Sequence, residues 1–376
     1  MHAPRILILY NEPVLPAGHP DAASEREVLD IVEVVDEHLS AAGYDVCRLG
    51  AGHDPVPVVK NLRRLRPDAV FNLFEGTADD GINEVYMGGL LEWMKIPFTG
   101  CPAHAMGLAR NKQLTKTLLR GAGLPTPAFC VVDCPPFAAG ANLPEDVTGS
   151  LHARPKSLFL GRNPRLLSPF RSDSRLRWPI IVKPAAQDAS VGIDQESVVS
   201  DKESLNRRIV YVLERYGPPV LLEEFIRGRE LNVSIITVPT FRALPISEIL
   251  FVNGNSHAWP IVTYAAKWKP GSEEDLATRP HCPADLAPAL AREVQRLARQ
   301  AFQLLGCRDY ARVDLRLSTS GRPYILEVNP NPDLHPSAGL EGSLAAAGIS
   351  HADFTVELVE AALRRKENQT LNSAVL

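Results

Sequence analysis

The spacing most suggestive of chemistry lies between Tyr310 and Asn331, in YARVDLRLSTSGRPYILEVNPN, where Arg312 and Asp314 are two residues apart, as are Glu327 and Asn329. Side chains alternate between the two faces of a β-strand, so each pair shares a face. The STSG between the strands suits a tight antiparallel turn, which would set the two pairs side by side. Asp314, Glu327 and Asn329 then offer hard oxygen ligands, a set that suits Mg²⁺ shared with nucleotide phosphates, with Mn²⁺ as the alternative, better than a soft metal. A second feature stands upstream in RWPIIVKPAAQDASVGI, where a buried run ending in Lys183 leads into a loop of small residues. That arrangement delivers a cation to the edge of a pocket where it can contact phosphate oxygens.

These residues need a scaffold, and the first hundred residues supply alternating strands and helices. RILILY is followed by a helix with Val28, Ile31, Val32, Val35 and Leu39 in register, then by YDVCRL, a helix over 56–66 and the buried run AVFNLF. Such alternation implies a parallel sheet with ligands at the carboxyl ends of its strands. Two ends matter, the one leading to Ser-Glu-Arg-Glu-Val at 24–28 and the one leading to FNLFEG at 71–76. Ser24 with Glu27 has the form of a capping box. Further on, an amphipathic helix over 285–305 leads into the 310–331 hairpin, and 253–286 reads as a long polar loop.

Arg-x-Asp followed by Glu-x-Asn resembles the terminal signature of ATP-grasp ligases, and the order of motifs from about residue 5 to residue 365 is most similar to the D-alanine–D-alanine ligase family. The resemblance implies an α/β (α+β) ATP-grasp fold: an N-terminal Rossmann-like domain over 1–96, a central subdomain over 97–222 and a C-terminal subdomain over 223–376 that carries the metal site. It implies an ATP-dependent ligase that joins a carboxylate to an amine through an acyl phosphate. Lys112 and Lys183 would reach ATP phosphates, and the loop Pro184 to Gly192 would cover them, with Ser190 and backbone amides as donors. Glu223 and Phe225 would border adenine, with the backbone of Glu224, Phe225 and Ile226 reading it and Glu230 on the ribose. Lys267 in TYAAKWKPG would face the acceptor or the phosphoryl oxygens, Arg312 would stabilise the oxyanion, and Glu25 would contact the ammonium of the first amino acid.

Departures from the pattern bear on substrates. Glu75 stands where the family usually has histidine, which favours a more cationic first substrate. Ala189 replaces a serine that helps to close the site, and Trp268 replaces a tyrosine. The segment PNPDLHPSAGL at 330–340 replaces a Gly- and Ser-rich loop that holds the second carboxylate; two prolines remove amide donors and Asp333 would repel that carboxylate, leaving Ser337 to reach it if the loop is displaced. D-alanyl-D-alanine is therefore not the expected product.

Composition excludes other classes. With 376 residues, 45% apolar and 22% charged, the chain is an ordinary soluble globular protein of two or three domains. No apolar stretch approaches the roughly 20 residues of a membrane span, and the N-terminus lacks the marks of a signal peptide. Six scattered cysteines and a net charge of −4 point to reduced thiols in the cytoplasm and away from nucleic acid. Small-molecule amino acids or peptides are the expected partners, with a homodimer implied by the family. One stretch, about 134–178, falls outside the resemblance; from His152 to Arg177 it carries six arginines and one lysine against Asp173, a basic arm suited to an acidic peptide or carrier.

Overall fold

The computed structural model describes residues 3–13, 22–77, 81–133, 165–166, 176–187, 190–252 and 258–374. The basic stretch lies almost wholly outside them, as do the side chains of Ser24 and Glu25. The first hundred residues alternate as their pattern predicts: β1 (Arg5–Asn11), α1 (Ala22–Ala41), β2 (Asp45–Ala51), α2 (Val56–Leu65), β3 (Ala69–Leu73) and α3 (Asn83–Trp93). The three strands form a parallel sheet in the order β2-β1-β3.

Two short helices follow, α4 (Ala103–Arg110) and α5 (Lys112–Gly121), then β4 (Phe129–Asp133), β5 (Arg165–Leu166), β6 (Ile180–Pro184), β7 (Val198–Val199), α6 (Lys202–Tyr216) and β8 (Val220–Glu224). These strands make a second, antiparallel sheet, β5-β4-β8-β6-β7. The third sheet takes β9 (Gly228–Ile236), β10 (Arg242–Ala243), β11 (Ser247–Phe251), β12 (Thr278–His281), β13 (Tyr310–Ser318) and β14 (Pro323–Pro330), with central order β11-β9-β13-β14. Its helices are α7 (Tyr264–Trp268), α8 (Glu273–Ala277), α9 (Pro288–Leu304), α10 (Gly339–Ala346) and α11 (His351–Ala374).

One expectation needs correction. The polar stretch after β11 is not one long loop: α7 and α8 are capped by Thr263 and Ser272, and β12 pairs with β11. Local side-chain caps and an edge pairing give short elements that composition alone hides. The last helix, α11, continues to Ala374. KENQTLN contains neither Gly nor Pro to stop it, and near its middle Arg365 binds Asp309 at 2.8 Å while Lys366 reaches Asp68 at 2.6 Å.

The core explains the assembly. The predicted stripe of α1 is buried with Ile6, Ile8 and Phe71 and with Phe354, Leu358 and Val359 of α11, so the last helix returns to the first sheet. The stripe of α9, Val294, Leu297, Ala298 and Ala301, packs on Leu231, Val233, Val313, Leu315 and Ile325 of the third sheet. Among the described residues no helix is long and apolar enough to cross a membrane, and five cysteines are free thiols.

Candidate active site

The opposite face of the third sheet is polar. β13 pairs with β14 so that Arg312 faces Asn329 and Asp314 faces Glu327, and with β9 so that Asp314 faces Asn232 and Arg316 faces Glu230. Directly opposed residues share a face. The four residues singled out by spacing therefore stand together. A register shift between Asp314 and Leu315 sets Leu315 against Ile325. This bulge turns Ile325 into the core while Glu327, two residues on, faces the cleft, something strict alternation could not achieve.

Asp314 is fully engaged. One oxygen accepts from Arg312 Nε and Asn232 Nδ2, both at 2.7 Å; the other accepts from Arg312 Nη2 at 2.9 Å and Asn329 Nδ2 at 2.7 Å. Burial would lower the Arg312 pKa, but Asp314, Glu327 and Glu230 outweigh it and raise it. Asn232 was not singled out in the sequence, though its spacing of two from Glu230 was a usable signal.

Cations close on Glu327. Burial alone would favour its neutral form, yet Lys112, Lys183, Lys267 and Arg312 hold its pKa down at about 2. These four come from the start of α5, the end of β6, α7 and β13. Lys112 Nζ donates to the Gln187 carbonyl at 2.5 Å, at the head of the phosphate-type loop. Lys267 is exposed to the cleft but ringed by protein, and its pKa is lowered, first by lost solvation and then by Arg312.

The strand leading to the hinge differs from expectation. Glu223 does not border an open pocket: it is 1% exposed, paired with Lys116 at 2.9 Å and 3.9 Å from Lys183. It is a buried counter-ion, because β8 is the central strand between β4 and β6 and its inward residues have no outlet. Lys116 is as deeply buried, donates to Thr126 Oγ1 at 3.1 Å, and has a pKa lowered by desolvation against the upward pull of Glu223. On an amphipathic helix in NKQLTK it reads as a surface lysine, which is why sequence misses it. The amides of Glu224 and Phe225 are likewise committed, to Ala128 and Pro179 carbonyls at 2.8 and 2.9 Å. Glu224 is half-buried, its carboxyl raised by lost solvation and eased by Arg177.

Arg316, 2% exposed, organises the turn that follows: it donates to the carbonyls of Ile226 at 3.0 Å and Pro260 at 2.8 Å, pairs with Glu230 Oε2 at 2.9 Å and stacks on Phe225 at 4.8 Å. Glu230 is raised by burial and held back chiefly by Arg316.

Ser190 takes a left-handed backbone, φ 61°, and its hydroxyl donates to the Val262 carbonyl at 3.0 Å. The Tyr264 amide donates to Ile193 at 2.9 Å, and Gln195 exchanges hydrogen bonds with Trp259. The phosphate-type loop is thus latched to the segment that carries α7 and Lys267, with Trp268 in α7. Ala189 lies outside the described residues.

At the other end of the cleft Glu75 lines a small pocket with Asn72, Glu84, Tyr310, Asn331 and Leu334. Glu75 is open to solvent on one side but ringed by protein, and lost solvation, then Asp333, Glu84 and Glu27, push its pKa up to about 7. Asp333 Oδ1 accepts from the His335 amide at 2.7 Å, and the Ser337 hydroxyl lies 2.7 Å from His335 Nδ1. Ser337 is therefore engaged within its own loop.

The comparisons agree with this architecture. The family model described as "D-ala D-ala ligase C-terminus" matches residues 168–360, just over half of the chain. The D-alanine–D-alanine ligase of Pelotomaculum thermopropionicum is 30% identical over 343 residues, 91% of this chain and 94% of the relative. That of Methylobacterium radiotolerans is 31% identical, over 90% of this chain and 94% of the relative. The crystal structure of D-alanine–D-alanine ligase from Bacillus anthracis complexed with ATP aligns with a TM-score of 0.68 at 20% identity, over 98% of this chain and all of that one. The Coxiella burnetii enzyme aligns at 0.67. The chain is an ATP-dependent carbon–nitrogen ligase of the ATP-grasp fold. It belongs to the D-alanine–D-alanine ligase family.

Proposed function

We propose that the enzyme joins the carboxylate of an amino acid or peptide to an amine through an acyl phosphate, converting ATP to ADP and phosphate. The observation that carries this reading is the convergence of Lys112, Lys183, Lys267 and Arg312 on Glu327, beside Asp314 and Asn329. Phosphoryl transfer asks the protein mainly to position and neutralise, and four cations around one carboxylate suit a triphosphate.

Asp314, Glu327 and the amide oxygen of Asn329 would hold Mg²⁺, or Mn²⁺. Two carboxylates and an amide fit a hard cation that also takes phosphate oxygens, although among the described residues no three His, Cys, Asp or Glu side chains cluster into a self-sufficient site. When bound, the metal supplies charge neutralisation on the phosphates.

A carboxylate oxygen of the first substrate attacks the γ-phosphorus, and ADP leaves with the electron pair of the broken bond. Lys112 and Lys183 hold the transferred group. The amine then attacks the acyl carbon, phosphate departs, and the nitrogen loses a proton. Arg312 commits Nε and Nη2 to Asp314, which leaves Nη1 for the tetrahedral oxyanion. Lys267 neutralises phosphoryl oxygens from α7.

With the amides of 224 and 225 spent, the Ile226 amide and the Glu224 carbonyl read adenine, the Phe225 ring borders it, and Glu230 meets the ribose through the oxygen not held by Arg316. Glu223 acts through Lys183. Glu25 binds the ammonium of the first substrate, as the family resemblance implies, and Glu75 with Asp333 favours one carrying a further positive charge. A homodimer is the proposed assembly, checked by light scattering in solution.

D-alanine as both substrates is the second reading, favoured by the names of the relatives. Phosphate release measured over single and paired amino acids, with D- and L-lysine, ornithine and alanine included, tests both. Turnover with D-alanine alone selects the second reading, turnover with a cationic donor selects the first, and release with neither overturns both.

A further inference from the structure

A pocket of about 620 Å³ shares no lining residue with the catalytic cleft. It lies between the end of α5, the Gly123–Thr126 turn, α9 and the tip of the β13–β14 hairpin. Three arginines line it, Arg120, Arg296 and Arg322, against one carboxylate, Glu293. Arg296 is taken by Glu293 in a two-pronged pair at 2.7 and 2.8 Å. Arg120 and Arg322 form no ion pair among the described residues. Arg120 stacks on Phe129 at 4.4 Å and makes one long bond, 3.4 Å, to the Pro127 carbonyl; Arg322 stacks on Tyr324 at 5.1 Å. A guanidinium held by its face keeps its N–H edge for a planar anion. Burial lowers the pKa of Arg120 against the pull of Glu223, as expected of a cation that has lost water without gaining an adjacent carboxylate.

We propose that this pocket is a second anion site, taking a small phosphate- or carboxylate-bearing molecule between Arg120 and Arg322, and that its occupancy is felt in the nucleotide cleft. The route is contiguous. Lys112, Lys116 and Arg120 follow at four-residue steps, so they form one row along α5. Thr126 lines the pocket and accepts from Lys116, Lys116 pairs with Glu223, and Glu223 lies 3.9 Å from Lys183. An anion that draws Arg120 or the Thr126 turn toward itself acts on the row that ends at the phosphate lysines.

The test titrates sulfate and, separately, succinate into the full-length protein with its cleft filled by a nonhydrolysable ATP analogue and Mg²⁺, read by calorimetry. Saturable binding is expected, with the stronger of the two probes identifying the anion class. The double variant Arg120→Gln/Arg322→Gln should weaken it by about tenfold or more, and Glu293→Gln should tighten it by about threefold, because the competing carboxylate is gone. The tightening keeps the proposal open to failure should the double variant not fold. By linkage, the wild-type affinity for the ATP analogue should change with the anion present, and this change should vanish in the double variant. Binding that never saturates, or that is equal in all three proteins, overturns the site. Saturable binding with unchanged nucleotide affinity overturns the coupling.

Discussion

The two ends of the cleft treat charge in opposite ways. Around Glu327 cations outweigh lost solvation and hold its carboxyl at about pKa 2; around Glu75 lost solvation, with Asp333, Glu84 and Glu27 adding to it, raises the carboxyl to about 7. The first end is prepared for phosphate. The second, on the function proposed above, suits a cation, and Glu75 and Asp333 there are among the residues that depart from the family pattern. One scaffold thus keeps its nucleotide chemistry while its substrate end changes, because the former is locked by cross-strand pairs and the latter sits on strand ends and a loop.

Breaking the pairing under the nucleotide end should have the largest effect. Lys116→Met strands Glu223 without its partner in a site 1% exposed, and loss of one partner of a buried pair costs about 3–5 kcal/mol. Denaturant unfolding measures this, and Lys116→Met/Glu223→Leu should recover most of the loss. Next, Arg312→Ala should keep ATP binding and reduce product formation by about 10²–10³-fold, as for a lost oxyanion donor; calorimetry with the ATP analogue and phosphate release separate the two.

Glu75→Gln sharpens the other side of the contrast. It should shift selectivity from a cationic toward a neutral first substrate by about tenfold, with KM for ATP unchanged. In the wild type, affinity for a cationic donor should rise as pH climbs through about 7, where Glu75 ionises. The stability of the free protein should fall over the approach to that pH, because between the ordinary carboxyl value and about 7 the native state holds a proton that the unfolded chain has released. Both trends should flatten in Glu75→Gln, in binding titrations and in melts across pH. The smallest effect belongs to Ser190→Ala, which removes one hydrogen bond to Val262, about 1 kcal/mol, and should raise KM for ATP by less than tenfold.

Much of this was legible before any coordinates. Period-two spacing brought Arg312, Asp314, Glu327 and Asn329 together, and period-3.6 stripes gave the buried faces of α1 and α9. The bulge at Asp314 was not legible, since it depends on which register the core accepts. Lys116 and Arg316 are hidden for a related reason: a charged side chain reads as exposed unless its partner is known, and both partners, Glu223 and Glu230, read as nucleotide contacts. Ser190 stands out in its loop, but its carbonyl partner is 72 residues away and only the folded chain brings them together.

The third sheet presents Glu230, Asn232, Arg312, Asp314, Glu327 and Asn329 on one side. Such a surface cannot be sealed by the aliphatic side chains that seal the other side. Something charged, flat and water-shedding has to fill the gap facing the lysine-bearing strand, and the nucleotide is suited to be that layer. The enzyme should therefore gain rigidity from its own fuel, by about 2.7 kcal/mol at a hundredfold excess over Kd, so that a cell depleted of ATP would hold a looser form of the same protein.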